Sequence, residues 1–284
     1  MIYVPDKFKT KHPFPYPADN HYEFERWYHD EHLLTGIPVE EREYLPVFWT
    51  AYYCKHSFCQ DAGAMEGLQK FLNGLDRSKK YYTIVQYDNG IQNDISHLDI
   101  IIFSMSGGRT DYPLPLISCE HDRGLPFERN LLLSFAGQIT HSIRQVIIDT
   151  LRIKKDCYIT TKKLTIPAFC MTLKSSIFTL CPRGFGPTSF RIQEALQHGS
   201  IPVYISDEFI IPHNLPFDEY GVLIDAKDAA RVHEILSSIS PEEIRRRQAA
   251  IPDVYKQYFT YEGNKEAIKK AVAECSYTAG SISI

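Results

Sequence analysis

From residue 130 onward the chain alternates between short β-type runs and stretches of helical period, and that alternation narrows the choice of fold more than any other feature. NLLLSFAG (130–137) reads as a strand that ends on glycine. Ile143, Val146, Ile147 and Leu151 then recur at helical spacing over 141–152. DCYIT (156–160), SIFTLCP (176–182), IPVYIS (201–206) and GVLID (221–225) are further strands, with helices predicted over 187–198, 229–238, 241–259 and 264–274. Strands separated by helices pair in parallel sheets through crossover connections.

The first half carries the same grammar less regularly. MIYV at the start, YTIVQY (82–87), DIIIFS (99–104) and PLPLIS (113–118) read as β-type runs, LPVFWTAYY (45–53) as an apolar segment, and 19–34 and 65–75 as helices. HDRGLPFERN (121–130) has the composition of a linker, which places a boundary near 120–130. The expectation is two Rossmann-like α/β domains, 1–125 and 126–260, followed by a C-terminal helix and tail over 261–284. A length of 284 residues supports two such cores.

Composition bounds the partners. The net charge of −4 argues against a sequence-blind nucleic-acid binder, which would carry a basic surplus. The seven cysteines form no CxxC pair, so neither a zinc site nor a disulfide framework is signalled; reduced thiols are expected, and a Cys54–Cys59 bridge would need an oxidising compartment. No run approaches the roughly 20 apolar residues of a membrane span. A soluble, cytoplasmic protein is expected unless an anchor has been removed.

Ligands of open α/β sheets bind beyond the carboxyl ends of strands. The most informative such end is TLCPRGFGPTSFRIQEALQHGS. Gly184 and Gly186 allow a tight loop, Pro187 suits a first helical position, Ile192, Ala195 and Leu196 form the apolar stripe, and Gly199 ends the helix. Arg183 stands at the mouth, Thr188 and Ser189 lie in the first turn, and a loop of this kind suits an anion gripped by an arginine fork. Glu194, further along, can accept hydrogen bonds from a ribose diol. Arg191 and Glu194 equally make an ordinary i,i+3 ion pair. The loop lacks the lysine of a P-loop and the third glycine of a dinucleotide motif. On local grammar alone, a structural turn and an anion site stand level.

The longer stretch CPRGFGPTSFRIQEALQHGSIPVYISDEFIIP resembles the exostosin family of glycosyltransferases, in the order and spacing of its CPRG loop, its serine, Phe-Arg, Glu-Ala-Leu, glycine and Ile-Pro-Val-x-Ile-Ser-Asp. MIYVPD, LPVFWTAYY, YTIVQYDNG and LLLSFAGQITHSIRQVI are weaker echoes of the same family. The resemblance implies a GT-B architecture, two Rossmann-like domains facing a cleft, with a UDP-sugar held by the C-terminal domain and an oligosaccharide or glycoprotein glycan acceptor by the N-terminal one. It implies donor contacts from Gly137, Arg144, Arg183, Gly184, Gly186, Thr188, Ser189, Arg191 and Glu194. The family's sugars include xylose and other pentoses and hexuronic acids. A chain this short, beginning almost at the first catalytic strand, fits a member from a microbe or large virus, or a trimmed one.

No Asp-x-Asp occurs anywhere, so the metal-chelating signature of the other common glycosyltransferase fold is missing; no metal and no cofactor beyond the donor are expected. Pro202 stands eight positions after Glu194, where many retaining enzymes carry a second glutamate, which favours inversion. Inverting displacement needs a base for the acceptor hydroxyl and positive charge on the leaving diphosphate. Asp88, directly after YTIVQY, is the favoured base, although Asp-Asn-Gly is also turn chemistry; Glu120, His121 and Asp122 come next. Arg183 and Arg144 are the candidates for the leaving group, and His141 for a donor contact. Tyr22, Trp27, Tyr28, Trp49 and Tyr53 are available to stack on sugars. Two other readings remain open: a non-catalytic exostosin-like subunit that stabilises a partner enzyme, and another GT-B-like enzyme such as an epimerase or phosphorylase.

Overall fold

The computed structural model describes residues 1–13, 23–35, 42–117, 120–121, 127–212 and 215–278, with side chains to residue 273. The chain divides into two units. Unit 1 comprises the described part of Met1–Leu114 together with the helix Tyr261–Thr278; unit 2 runs over Pro115–Thr260. Each is an α/β unit built on one wholly parallel sheet.

In unit 1 the strands β1 (Arg42–Tyr44), β2 (Lys80–Val85), β3 (Asp99–Ser104) and β4 (Tyr112–Pro113) lie in sequence order. Helices α1 (Phe24–Thr35), α2 (Trp49–Lys55) and α3 (Ala62–Asn73) are interleaved with them. Asp61 starts α3 by accepting the amide of Ala64 at 3.0 Å. The core gathers Val4, Phe8, Leu45, Trp49, Tyr53, Leu68, Leu72, Val85 and Ile102.

Unit 2 carries β5 (Leu131–Ala136), β6 (Cys157–Thr160), β7 (Ser176–Pro182), β8 (Ile201–Ser206) and β9 (Val222–Asp225) in the order β6-β5-β7-β8-β9. All neighbours are parallel. Every residue of β8 is buried, which is why IPVYIS reads as an unbroken apolar run and not as an alternation. Around the sheet lie α4 (Ser142–Leu151), α5 (Ile166–Ser175), α6 (Arg191–Gln197), α7 (Val232–Ser237) and α8 (Pro241–Tyr258). The stripe of α4 buries Ile143, Ile147 and Leu151, each worth about 1.5–3 kcal/mol of transfer free energy. A charge at Ile147, fully enclosed, would remove the docking of that helix. The last helix, α9 (Tyr261–Thr278), returns to unit 1, where Tyr261 packs on Phe24 and Trp27 and Lys265 reaches Glu31 at 3.3 Å.

Several sequence expectations are corrected. Residues 1–5 form no strand; only the amide of Ile2 reaches the Tyr44 carbonyl, at 3.2 Å. The apolar run 45–53 contains the start of α2. In PLPLIS only Pro113 lies in a strand, while Leu114 still bonds to Ser104; Ser118 lies outside the described residues. The helix predicted over 187–198 is confined to Arg191–Gln197, because the Pro187 carbonyl is taken by the hydroxyls of Tyr204 at 2.9 Å and Ser206 at 3.2 Å. The helix expected to stand in a separate tail groups with unit 1. Helix α5 and strand β1 were not anticipated at all. The tryptophan and tyrosines proposed to stack on sugars are largely core: Tyr28, Trp49 and Tyr53 are fully enclosed, with Trp49 donating to Thr83 and Tyr53 to Asn93. Trp27 is partly buried against Phe24 and Tyr261; Tyr22 lies outside the described residues.

Candidate donor site at the switch point

The order β6-β5-β7-β8-β9 makes β5 and β7 neighbours while β5 also pairs β6 on its other side. Successive crossovers therefore leave in opposite directions from the β5/β7 pair, and a crevice opens beyond the carboxyl ends of those two strands. The loops that leave them are 137–141 and 183–190, so the fold brings together the two segments that the sequence singled out.

Arg144, in the first turn of α4, braces the two loops. Its Nε donates to the Arg183 carbonyl at 2.8 Å, Nη1 to Gln138 at 2.9 Å and Nη2 to Pro182 at 3.1 Å. Three of its five N–H donors are spent on backbone, so this arginine holds the crevice in shape and has less to offer a phosphate than the sequence suggested. Burial, with Arg191 nearby, pulls its pKa down to about 10, which leaves it charged at neutral pH. Gly184 packs against it: a Cβ there would stand 3.4 Å from Arg144 Nη2 and 3.8 Å from Thr140 Oγ1. A Cβ on Gly137 would meet the Phe135 ring at 3.1 Å and Arg191 Nη2 at 3.4 Å. Only at Gly137 is the approach tighter than ordinary contact; Gly184 has room for a Cβ.

Arg183 is held by an ion pair from Nη1 to the Asp207 carboxylate, and its amide by the Ile205 carbonyl at 2.9 Å. Its Nε is enclosed without a hydrogen-bond partner, and so is Thr140 Oγ1. Enclosed donors without partners are costly, and a bound polar group would relieve them. Arg183 holds the Asp207 carboxyl below its ordinary value. Thr188 and Ser189 are buried; the Thr188 carbonyl accepts from Gly184 at 3.4 Å, and Ser189 Oγ accepts the Arg191 amide at 3.4 Å. Gly186 is buried in the same loop, whose tip, Phe185, is 76% exposed.

Glu194 sits one turn along α6. It pairs with Arg191 at 3.2 Å and faces His121 Nε2 at 3.8 Å. Burial pushes its carboxyl up, but Arg191, then His121, outweigh it and hold it below the usual value, so Glu194 is an ionised acceptor. Arg191 also lies 4.6 Å over the Phe169 ring. His198 bonds the Glu194 carbonyl through Nδ1 at 2.9 Å, and burial lowers its pKa, so it stays neutral.

Gly137, Arg144, Arg183, Gly184, Arg191 and Glu194 thus assemble around one crevice. His141 caps α4, its Nδ1 accepting the Ile143 amide at 3.3 Å. Glu120 is bound by the Tyr255 hydroxyl at 3.0 Å, outside the crevice chemistry; Asp122 lies outside the described residues. Thr140, Phe169 and Asp207 were not assigned roles from sequence. Asp207 closes the quoted ISD motif, but nothing in the spacing tells that it meets Arg183.

Asp88 lies in unit 1, in the turn after β2. Its carbonyl accepts the Gly107 amide at 3.0 Å. Gly90 and Gly108 interlock below it with φ of +68° and +79°; a Cβ at Gly108 would fall 2.4 Å from the Asn89 carbonyl oxygen. Just upstream, the buried Glu25 accepts the Gln86 amide at 2.8 Å and the Thr50 hydroxyl at 2.6 Å, both on Oε1, and the Thr50 amide at 3.1 Å on Oε2. Burial pushes its carboxyl up to about 8 despite these donors.

Parallel sheets with crossover helices and a braced loop pair at a switch point make unit 2 a Rossmann-like unit. Residues 99–239 match the Exostosin GT47 domain, and by this stretch the chain belongs to the exostosin family of glycosyltransferases. A probable glucuronosyltransferase of rice is 42% identical over 78 residues, which are 27% of this chain and 18% of that protein. A probable beta-1,4-xylosyltransferase of Arabidopsis thaliana, IRX10L, is 42% identical over 78 residues, 27% of this chain and 19% of that protein. The matched stretch thus spans about a fifth of the length of the curated relatives. A solved glycosyltransferase from Rickettsia africae aligns with a TM-score of 0.45 at 10% identity, over 73% of this chain and 67% of that chain. Among the described residues no helix is long and apolar enough to cross a membrane.

Proposed function

We propose that this chain transfers a sugar from a UDP-sugar to a hydroxyl of a glycan acceptor, with inversion at the anomeric carbon. The observation that carries the reading is the braced crevice of unit 2, where Arg183 Nε and Thr140 Oγ1 are enclosed without partners beside an ionised Glu194. Arg183 would take the diphosphate and Glu194 the ribose hydroxyls, while Arg144 keeps the two loops in register. Unit 2 would be the donor half and unit 1, with Asp88, the acceptor half of a GT-B enzyme.

The step is a single displacement. The acceptor oxygen forms a bond to the anomeric carbon as the bond from that carbon to the diphosphate oxygen breaks. The acceptor proton passes to the Asp88 carboxylate, and the electron pair leaves on the diphosphate. Arginine supplies the positive charge, so no metal or cofactor is required. The names of the relatives favour a pentose such as xylose or a hexuronic acid as the sugar.

Isothermal titration with UDP, followed by a thermal-shift screen of UDP-xylose, UDP-glucuronic acid and GDP-sugars, tests the reading. Saturable UDP binding and a rise in melting temperature with one UDP-sugar are expected. No UDP binding, or preference for a GDP-sugar, would overturn it.

A further inference from the structure

At the amino end of the unit 2 sheet, opposite to the donor crevice, three side chains from two segments converge. Asp156 directly precedes the edge strand β6, which Cys157 opens, and His233 is the second residue of α7. His233 Nε2 lies 3.1 Å from each oxygen of Asp156, and Cys157 Sγ lies 3.5 Å from Asp156 Oδ1. One ligand atom from each of the three falls within 4.8 Å of the others.

We propose that Asp156, Cys157 and His233 form a binding site for a divalent zinc-like cation that clips the edge strand to α7. The donor set is one carboxylate oxygen, one imidazole nitrogen and one thiolate, which selects zinc over magnesium or calcium. Bonds of about 2.0–2.3 Å to a tetrahedral ion put its ligand atoms about 3.3–3.7 Å apart. Of the two separations on either side of Asp156, the 3.5 Å one falls within that range and the 3.1 Å one just below it, so these groups need little movement to take the ion. A water molecule completes the fourth position.

The scaffold fixes both sides. The Asp156 carbonyl accepts the Leu132 amide at 2.9 Å, and Cys157 pairs with Leu133 in the ladder. On the other side Val232, fully buried, anchors α7, and the adjacent His233 is partly buried. An Asp–His ion pair accounts for two of the three groups, and the Cys157 thiol adds a third ligand atom by donating to the same carboxylate. Without a cation, burial and then Asp156 push the Cys157 thiol up to about 12, so it does not act as a free nucleophile. The ion would pin the outer strand of the sheet, an edge otherwise open to pairing with other chains. This site is separate from the donor crevice, and its existence does not depend on the proposed transfer.

The test is cobalt(II) substitution and zinc titration of the full chain, reduced with a phosphine and compared with Cys157→Ser, His233→Gln and Asp156→Asn. The wild type is expected to take up one Co²⁺ with a sulfur-to-metal charge-transfer band in the near ultraviolet, and to rise in melting temperature with Zn²⁺ but not Mg²⁺. Cys157→Ser should lose the band, and His233→Gln should weaken Zn²⁺ beyond the roughly 10- to 100-fold that changes to outer-shell partners cost. Circular dichroism on each variant checks that it is folded; Asp156 is exposed and His233 only partly buried, so their variants serve if Cys157→Ser fails to fold. A band that persists in Cys157→Ser, Zn²⁺ affinity unchanged in both His233→Gln and Asp156→Asn, or no uptake by the wild type would overturn the proposal.

Discussion

Replacing Glu25 by glutamine removes an ionisation that the fold of unit 1 resists. The folded carboxyl titrates near 8, while an unfolded glutamate titrates near 4.5. The folded state therefore keeps a proton that the unfolded state has already lost. Stability from this group is fully present below pH 4.5 and drains away as pH climbs to about 8. Each tenfold step in acidity is worth about 1.4 kcal/mol, so the wild type loses about 3 kcal/mol between pH 4.5 and 7 through this group. Glutamine keeps Oε1 for the Thr50 hydroxyl and the Gln86 amide and gives up only the 3.1 Å bond on Oε2, a loss of about 1 kcal/mol. The variant should be slightly weaker at pH 5 and clearly stronger at pH 8. Urea unfolding from pH 5 to 8.5 measures this, read by tryptophan fluorescence, since both tryptophans, Trp27 and Trp49, belong to unit 1. Parallel stability curves for the two proteins would refute the reasoning.

Three further outcomes are expected. Arg144→Ala removes three bonds to backbone carbonyls and should cost about 3 kcal/mol in unit 2 as well as weaken UDP binding; Arg144→Lys, with a single ammonium in place of a fork, should recover little of either in denaturation and titration experiments. Arg183→Ala should lower UDP affinity at least about tenfold by calorimetry while changing stability by less than about 1 kcal/mol, because its ion-pair partner Asp207 is half exposed; a collapse in melting temperature would mark Arg183 as structural. Asp88→Asn should keep UDP binding and reduce transfer at least about 100-fold in a product assay, and undiminished turnover would remove Asp88 as the base.

Much of unit 2 was legible because its strands end on residues with a physical signature. NLLLSFAG and SIFTLCP are long, apolar and closed by Gly137 or by Pro182 before Gly184. The Gly199 stop also holds, with φ of +68°. What the sequence hid has identifiable causes. Helix α5 ends at Ser175 and β7 starts at Ser176. With no turn residue between them, the pattern gives no sign of the change. Pro187 is a good first helical residue locally, so the pattern starts α6 too early; only the Tyr204 and Ser206 hydroxyls, from a strand 17 to 19 positions on, decide otherwise. Arg144 was read as a phosphate contact since spacing shows that an arginine is near a strand end, not that three carbonyls already occupy it. The Asp156–Cys157–His233 cluster spans 77 positions and matches no ligand spacing, so only the pairing of β6 and the docking of α7 reveal it.

Unit 1 is assembled from both sides of unit 2 in the chain, since α9 packs with α1 after Thr260. On a ribosome the two units would therefore mature out of order. The strands of unit 1 emerge first, but the helix that covers Phe24 and Trp27 follows only after the 146 residues of Pro115–Thr260 have been made. At about 5–20 residues per second that is a wait of roughly 7–30 s. Unit 2 can close as soon as it is out, whereas unit 1 stays unsealed along one face until α9 has followed. Chaperone demand should fall on unit 1, and truncation before Tyr261 should release a chain whose unit 2 is folded and whose unit 1 is not.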